Sequence, residues 1–276
     1  MKMMRYLVLG MALALCLQAS AQRKPKIKGN KNVMDYQVDL PPFNAIELKD
    51  DLEIRLQDGA REGYAVTADD NLIDVLKFSV EDSTLVISAY YKITRKKKLD
   101  ITVYYNYLEA ITLYDGRVVM EGTINSDELY VNTYDSAKLQ LNADAQIVNI
   151  NMEGNSSGEF NLDAGETNLV LKDRIDVKIY SVSDVSSVKM YKNASVKMEG
   201  TTDELHLNLF ESSSFKGEKL EGNRVYLNLQ DGSKAYVNAQ EELELSSKGS
   251  SETHLYGSPA ITIHGFGDTS KLLKEK

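Results

Sequence analysis

The chain reads as all-β: a parallel β-helix or β-solenoid of two-arm rungs about 19 residues long, behind a less regular N-terminal β segment. Three observations predict this. Short runs of alternating apolar and polar residues fill the chain from Phe43 onward, helical periodicity is almost absent, and two apolar series recur in phase over more than a hundred residues.

The N-terminus comes first. Lys2 and Arg5 precede the apolar run Tyr6 to Leu17, and Ala19-Ser20-Ala21 supplies a small-x-small site. This predicts a signal peptide over 1–21, cleaved after Ala21. The run is shorter than the roughly 20 residues a membrane-spanning helix needs. No later segment is apolar enough to cross, so no integral membrane segment is expected. A lipid-attachment site at Cys16 is disfavoured by the bulky Leu15 before it. Cys16 is the only cysteine among the 276 residues, so cleavage removes any basis for disulfides, thiol catalysis or a thiolate metal site. An exported chain without disulfides points to the periplasm or cell surface of a Gram-negative bacterium. Loss of Lys2 and Arg5 takes the formal net charge from −9 to −11. That acidity argues against nucleic acid and anionic membranes as partners.

Residues 22–40 carry Arg23, Lys24, Lys26, Lys28 and Lys31 and predict a flexible polar leader. Pro41-Pro42 opens a single β-solenoid domain over 41–270, with irregular N-terminal layers over 41–125 and regular repeats over 126–264. A charged tail, 271–276, follows. Ile46, Leu48, Leu52, Ile54 and Leu56 alternate with polar residues, as do Leu85 with Ile87 and Ile101 with Val103. Asp58-Gly59 and Asp115-Gly116 supply turn chemistry. Asn71 to Phe78 has mixed apolar spacing and suits a short helix.

An apolar-x-apolar-polar unit then begins at Leu129, Val148, Leu169, Val188, Leu205, Val225 and Leu243, with a mean step of about 19 residues. A second series, Leu139, Phe160, Val177, Val196, Phe215, Ala235 and Thr253, runs in phase with it. Two strands and two turns consume such a unit. It cannot bury its apolar side alone, so units must stack. A two-sheet antiparallel sandwich is the rival fold, but the regular step favours the solenoid. Asn132, Asn151, Asn208 and Asn228 close four of the units. They fit either hydrogen-bonded ladders between rungs or simple strand ends.

Phe43-Asn44-Ala45-Ile46, the strand Leu52-Glu53-Ile54, the run Val80 to Ile87 and the repeated strands after Leu99 resemble the putative auto-transporter adhesin head (GIN) domain family of exported proteins, common in Bacteroidetes. The resemblance covers essentially the whole mature chain and implies a β-helical fold and an adhesin-like role. Its motifs define the fold, so it carries over no functional residues. This chain has more Lys and Glu than usual members, which are richer in Gly, Ser and Asn turns.

Catalytic and metal signatures are sparse. His206, His254 and His264 have no metal-ligand spacing and read as isolated surface residues. No nucleophile elbow or phosphate-binding glycine loop occurs. Asp173, Arg174 and Asp176 cluster at a turn and are the candidates for a polysaccharide lyase or glycoside hydrolase, although such a group is ordinarily a solvated ion cluster. Arg95-Lys96-Lys97-Lys98 reads as a solvated hairpin tip. The chain has 16 tyrosines and no tryptophan. Tyr130 and Tyr226 occupy outward positions of their units and are the tentative binding residues, for a glycan or a cell-surface protein. No catalytic, metal or cofactor-binding residue is assigned, and no cofactor is expected. The reading is a non-enzymatic adhesin-like binding protein; a polysaccharide-active enzyme and a structural envelope component are the alternatives.

Overall fold

The computed structural model describes residues 24–276. The expected signal peptide, Cys16 and the cleavage site after Ala21 lie outside the described residues. Seven long strands form the body: β11 (Arg117–Thr133), β12 (Lys138–Met152), β13 (Ser157–Lys172), β14 (Asp176–Tyr191), β15 (Ser195–Leu209), β16 (Ser214–Leu229) and β17 (Lys234–Ser247). Each pairs in parallel with the next. Each is a full rung: a first arm, a bend and a second arm. Between β12 and β13 the first arms pair from Lys138↔Ser157 to Ala145↔Ala164. Gln146 and Gly165 fall unpaired at the bend, and pairing resumes at Ile147↔Glu166. The body is the expected solenoid, and antiparallel pairing is confined to the N-terminal layers.

The rungs stack because alternate residues of each arm enter a shared interior. Val118, Leu139, Val177, Val196 and Phe215 line the first arm, while Leu129, Val148, Leu205, Val225 and Leu243 line the second; all are buried. Full burial of each such side chain contributes about 1.5–3 kcal/mol. After each second arm the chain turns through a left-handed residue: Asp135, Gly154, Asp173, Lys192, Glu211, Asp231, Gly249 and Asp268 recur every 18–20 residues, all with positive φ. Only two are glycine, so backbone geometry repeats where residue identity does not.

The register corrects part of the sequence repeat. Val148 pairs with Thr167, Thr167 with Ser186 and Ser186 with Leu205. Leu169 and Val188 therefore sit two residues beyond the position that Leu129 and Val148 hold. A slip of two keeps a side chain on the same face of a strand, so alternation alone does not reveal it. The true step is 19 residues through these rungs. In the second series Leu139 pairs with Gly158, and Phe160 lies opposite Leu141. The Phe160 ring fills the space Gly158 leaves: a Cβ there would lie 2.5 Å from it. Rung β16 reverses the order, with Phe215 filling the space at Gly217, where a Cβ would lie 2.3 Å from the ring.

The N-terminal layers comprise β1 (Lys26–Lys28), β2 (Val33–Asp39), β3 (Ala45–Leu48), β4 (Glu53–Asp58), β5 (Gly63–Asp69), α1 (Asp70–Ile73), β6 (Leu76–Glu81), β7 (Thr84–Ala89), β8 (Lys92–Arg95), β9 (Leu99–Tyr105) and β10 (Ala110–Leu113). The expected helix is one turn, α1, and Leu76 already starts a strand. The first-arm sheet continues downward through β4, β9, β5 and β2. The second-arm sheet continues through β10, β3, β7 and β6.

The flexible leader over 22–40 is corrected within its described part. β1 pairs with β8, and β2 pairs with β5 over its whole length. Val33, Tyr36 and Val38 lie among the lysines and aspartates, and the backbone finds a partner whatever the side-chain charge. The charged tail is corrected too. β18 (Glu252–Tyr256) continues the first arm and β19 (Ala260–Phe266) the second. β20 (Lys271–Lys274) pairs with β18 from Lys271↔Glu252 to Lys274↔Leu255.

Two stability outcomes follow. Gly158→Val is expected to destabilise by about 1–3 kcal/mol through overpacking against Phe160. Adding Phe160→Leu recovers part of that loss by copying the Val177/Ile179 arrangement one rung on, as a urea-denaturation double-mutant cycle will read. Thr167 is fully buried and its hydroxyl meets no partner. Thr167→Val is therefore expected to stabilise by about 1 kcal/mol in the same assay; a loss of stability contradicts the assignment.

Candidate binding face

The outward side of the second arms forms a face built of in-register columns. Tyr130 and Tyr226 share one column, with Asn149, Asn168, Ser187 and His206 between them. They are five rung steps apart, roughly 24 Å at about 4.8 Å per step. They are therefore not one aromatic row but two members of a polar column, which continues past Tyr226 through Glu244 and Thr262.

Around Tyr130 the strip is a hydrogen-bonded network. The Tyr130 hydroxyl donates to Glu128 Oε1 at 2.5 Å, and Asn149 Nδ2 donates to the same oxygen at 3.0 Å. Asn168 Nδ2 reaches Asn149 Oδ1 at 3.2 Å and Glu166 Oε1 at 2.9 Å. The Glu128 carboxylate, as acceptor of the hydroxyl, holds the Tyr130 phenol above its ordinary pKa. Tyr130 is 44% exposed, with small Ala110 beside it in register on the N-terminal side.

Around Tyr226 the arrangement differs. Its ring stacks on His206 with centroids 4.6 Å apart and planes 9° apart. Arg224 donates to Glu204 Oε1 at 2.6 Å, and His206 Nε2 lies 3.3 Å from Glu204 Oε2. The Arg224 guanidinium is the main cause that holds the Glu204 carboxyl below its usual range. Rings stacked between rungs turn edges and polar atoms outward, so this end offers hydrogen-bonding groups more than an open ring face. In the next column the closing asparagines form two short ladders, Asn151 to Asn132 at 3.2 Å and Asn228 to Asn208 at 3.3 Å. Val170 and Lys189 occupy the two rungs between them. The ladder reading holds, interrupted.

The histidines are not isolated. His206 faces Glu204, His254 Nδ1 lies 2.6 Å from Glu275 Oε1, and His264 Nε2 lies 2.8 Å from Glu244 Oε2. His254 also stacks on Tyr236, centroids 4.3 Å apart. Tyr114 stacks on Tyr134 and Tyr191 on Phe210, both at 5.2 Å. The stacked ring pairs all join neighbouring rungs, whereas His206 and Glu204 share one rung, and the signal for the stacks was the 18–20-residue spacing applied in the correct register. Among the described residues no group of His, Cys, Asp and Glu is placed to hold a metal ion.

The turn cluster resolves into separate contacts. Asp173 pairs with Lys192 of the next rung, which keeps its carboxyl below the usual range. Asp176 lies instead beside a shallow groove on the first-arm face with Arg117, Lys138, Glu159 and Lys178. In the basic run, the Lys97 and Lys98 amides donate to buried Asp69 at 3.1 and 3.3 Å, so its backbone is anchored. A shallow groove of about 720 Å³ follows the bend between arms, lined by Asp127, Asp144, Asp163 and Asp184. Reasoning from sequence did not find it, because the bend residues lie outside both apolar series.

The molecule is a β-solenoid with a polar, laddered face. The chain belongs to the family described as putative auto-transporter adhesin, head GIN domain, which matches residues 42–172 and 156–259. Two solved structures of putative adhesins, from Parabacteroides distasonis and Parabacteroides merdae, are similar with TM-scores of 0.64 and 0.60 at 16% and 13% identity. A putative lipid binding protein from Parabacteroides distasonis gives 0.60 at 19% identity. Each alignment covers 91% of this chain and 100% of the other. At these identities the likeness is one of fold. Among curated proteins none matches the chain.

Replacing Glu128 with Ala is expected to lower the Tyr130 phenol pKa toward the ordinary tyrosine value. Titration of ring-labelled tyrosines by NMR, with Tyr130→Phe to assign the signal, reads the shift; an unmoved resonance contradicts the contact.

Proposed function

We propose that the chain is an exported, adhesin-like binding protein that holds an extended glycan along its second-arm face, without turning it over. The observation that carries the reading is the strip from Tyr130 to Tyr226. It places the Tyr130, Ser187 and Tyr226 hydroxyls, the Asn149 and Asn168 amides and the His206 imidazole one rung step apart, with Glu128, Glu166 and Glu204 beside them on alternate rungs. A repetitive polymer matches such a face better than a small molecule, which calls for an enclosed apolar pocket. A cell-surface protein is the other partner this face suits, and membership of an adhesin-named family supports the general role. Export rests on the N-terminal signal read from sequence, with release after Ala21 into the periplasm or onto the cell surface.

The test is a glycan array and polysaccharide pull-down with residues 22–276, run beside an assay for new reducing ends and unsaturated sugars. Binding without new ends is the expected outcome. Tyr130→Ala and Tyr226→Ala should each weaken it by about tenfold or more if they sit at the two ends of the bound segment. Release of new ends overturns the reading in favour of a polysaccharide-active enzyme. Absence of any glycan bound sinks the glycan assignment and leaves the protein partner.

A further inference from the structure

The two ends of the solenoid are unlike each other, and they are complementary. At the C-terminal end every residue of β19 is exposed. Ile261 and Ile263 pair with Leu243 and Leu245, which are fully buried, so they continue interior columns. Yet they are 46% and 50% exposed, because no rung covers them. β20 adds Lys274, in register with buried Leu255. That position places a cation at the mouth of the interior, where its ammonium meets only the Glu275 carbonyl oxygen, at 2.7 Å.

At the N-terminal end the two sheets part around a groove of about 680 Å³ between β2 and β5 on one side and β6 on the other. Tyr64 stacks on Phe78 in its wall at 3.8 Å, and Met34 and Tyr36 stand exposed at its edge. Apart from the tyrosines, its ionisable lining groups are two acids, Asp70 and Asp74. The amides of Asn32 and Asn30 donate to the Asp70 carboxylate and hold its pKa down, so it stays charged.

We propose that the C-terminal mouth of one copy docks into the N-terminal mouth of a second copy, giving head-to-tail chains. Each mouth is a section through the same pair of sheets and ends in two strands that each pair on one side: β20 and β19 at one end, β2 and β6 at the other. Strand direction is compatible. β2 is antiparallel to β5, which is antiparallel to β9, so β2 runs with the first arms and meets β20 in parallel. β6 opposes β7 and meets β19 antiparallel. Charge selects this pairing over the symmetric ones. Two C-terminal mouths would set Lys274 against its own copy, and two N-terminal mouths would set Asp70 and Asp74 against theirs. Head to tail, a mouth that carries an unpaired cation faces a groove whose ionisable groups, apart from the tyrosines, are acids, although the Lys274 column itself leads to Val38 and Tyr64. Such a contact does not close on itself, so it extends. The inference goes beyond the glycan-binding reading and does not depend on it.

Sedimentation velocity of residues 22–276 across a concentration series, at low and high salt, is the test. Association beyond a dimer, weaker at high salt, is expected. Ile263→Glu blocks one mouth by setting an acid against the acidic groove, and Tyr36→Arg blocks the other; both positions are exposed, and circular dichroism checks folding. Each variant alone should be monomeric, and an equimolar mixture should form a heterodimer and nothing larger. Lys274→Glu, an exposed change, should weaken association by roughly tenfold or more even if Ile263→Glu folds poorly. A wild-type monomer at every concentration overturns the proposal. So does a Tyr36→Arg variant that still dimerises, since that outcome means pairing through two C-terminal mouths.

Discussion

Parallel stacking of rungs at about 4.8 Å governs everything else in this molecule. Once neighbouring rungs share a register, every side chain has a fixed neighbour above and below, and each column must be filled jointly. Interior columns answer with apolar volume, as where Phe160 covers Gly158 and Phe215 covers Gly217. Exterior columns answer with contacts that bridge rungs: Asn168 to Asn149, Lys178 to Glu159, His206 on Tyr226. Side chains on such a surface are positioned by the ladder, because a residue that satisfies its neighbour is also held still.

The same constraint satisfies some of the polar residues inside, although Thr167, Ser181, Ser213 and Thr253 bury hydroxyls that meet no partner. Ser183 and Ser186 meet across the bend at 2.8 Å, and Ser183 lies 3.3 Å from Thr202 on the next rung. Ser156 bridges to Thr133 at the turn, 2.8 Å away. Hydroxyls are tolerated where adjoining rungs return a partner, so a column accepts polarity locally without losing the fold. Near the C-terminal end the ties become ionic. Glu252 is bound by Lys234 at 2.9 Å and Lys271 at 3.0 Å, and these two cations depress its pKa to about 2. This clamp attaches β20 to the rungs below it. A depressed carboxyl gives stability that is present above its unfolded value of about 4.5 and is lost as pH falls through about 2.

Stacking also leaves a solenoid with a difficulty at its ends, since the last rung has no neighbour. The N-terminal layers meet it partly, by reversing strands and inserting the single turn of α1. The C-terminal end does not, and its interior columns stop at exposed Ile261 and Ile263. The long face and the open ends are thus two results of one architecture: one presents repeated polar groups, the other presents unfinished core.

Sequence by itself determined the class of fold, the two-arm rung and its mean length, because alternation and periodicity are local properties of the chain. It also singled out Tyr130 and Tyr226 as outward. It did not determine register in β13 and β14, where Thr167, Ser186 and Gly158 stand in interior columns without an apolar signature and a two-residue slip preserves every face. Nor did it reveal that residues 26–28, 33–39 and 271–274 are strands, since their partners lie far away in sequence and lysine does not prevent backbone pairing. Tertiary structure alone decided which residues share a column: that the two tyrosines lie in one, five rung steps apart, that His206 stacks on Tyr226 and that Asp173 serves Lys192. Side-chain neighbours between rungs depend on register, and register is set by all the columns at once.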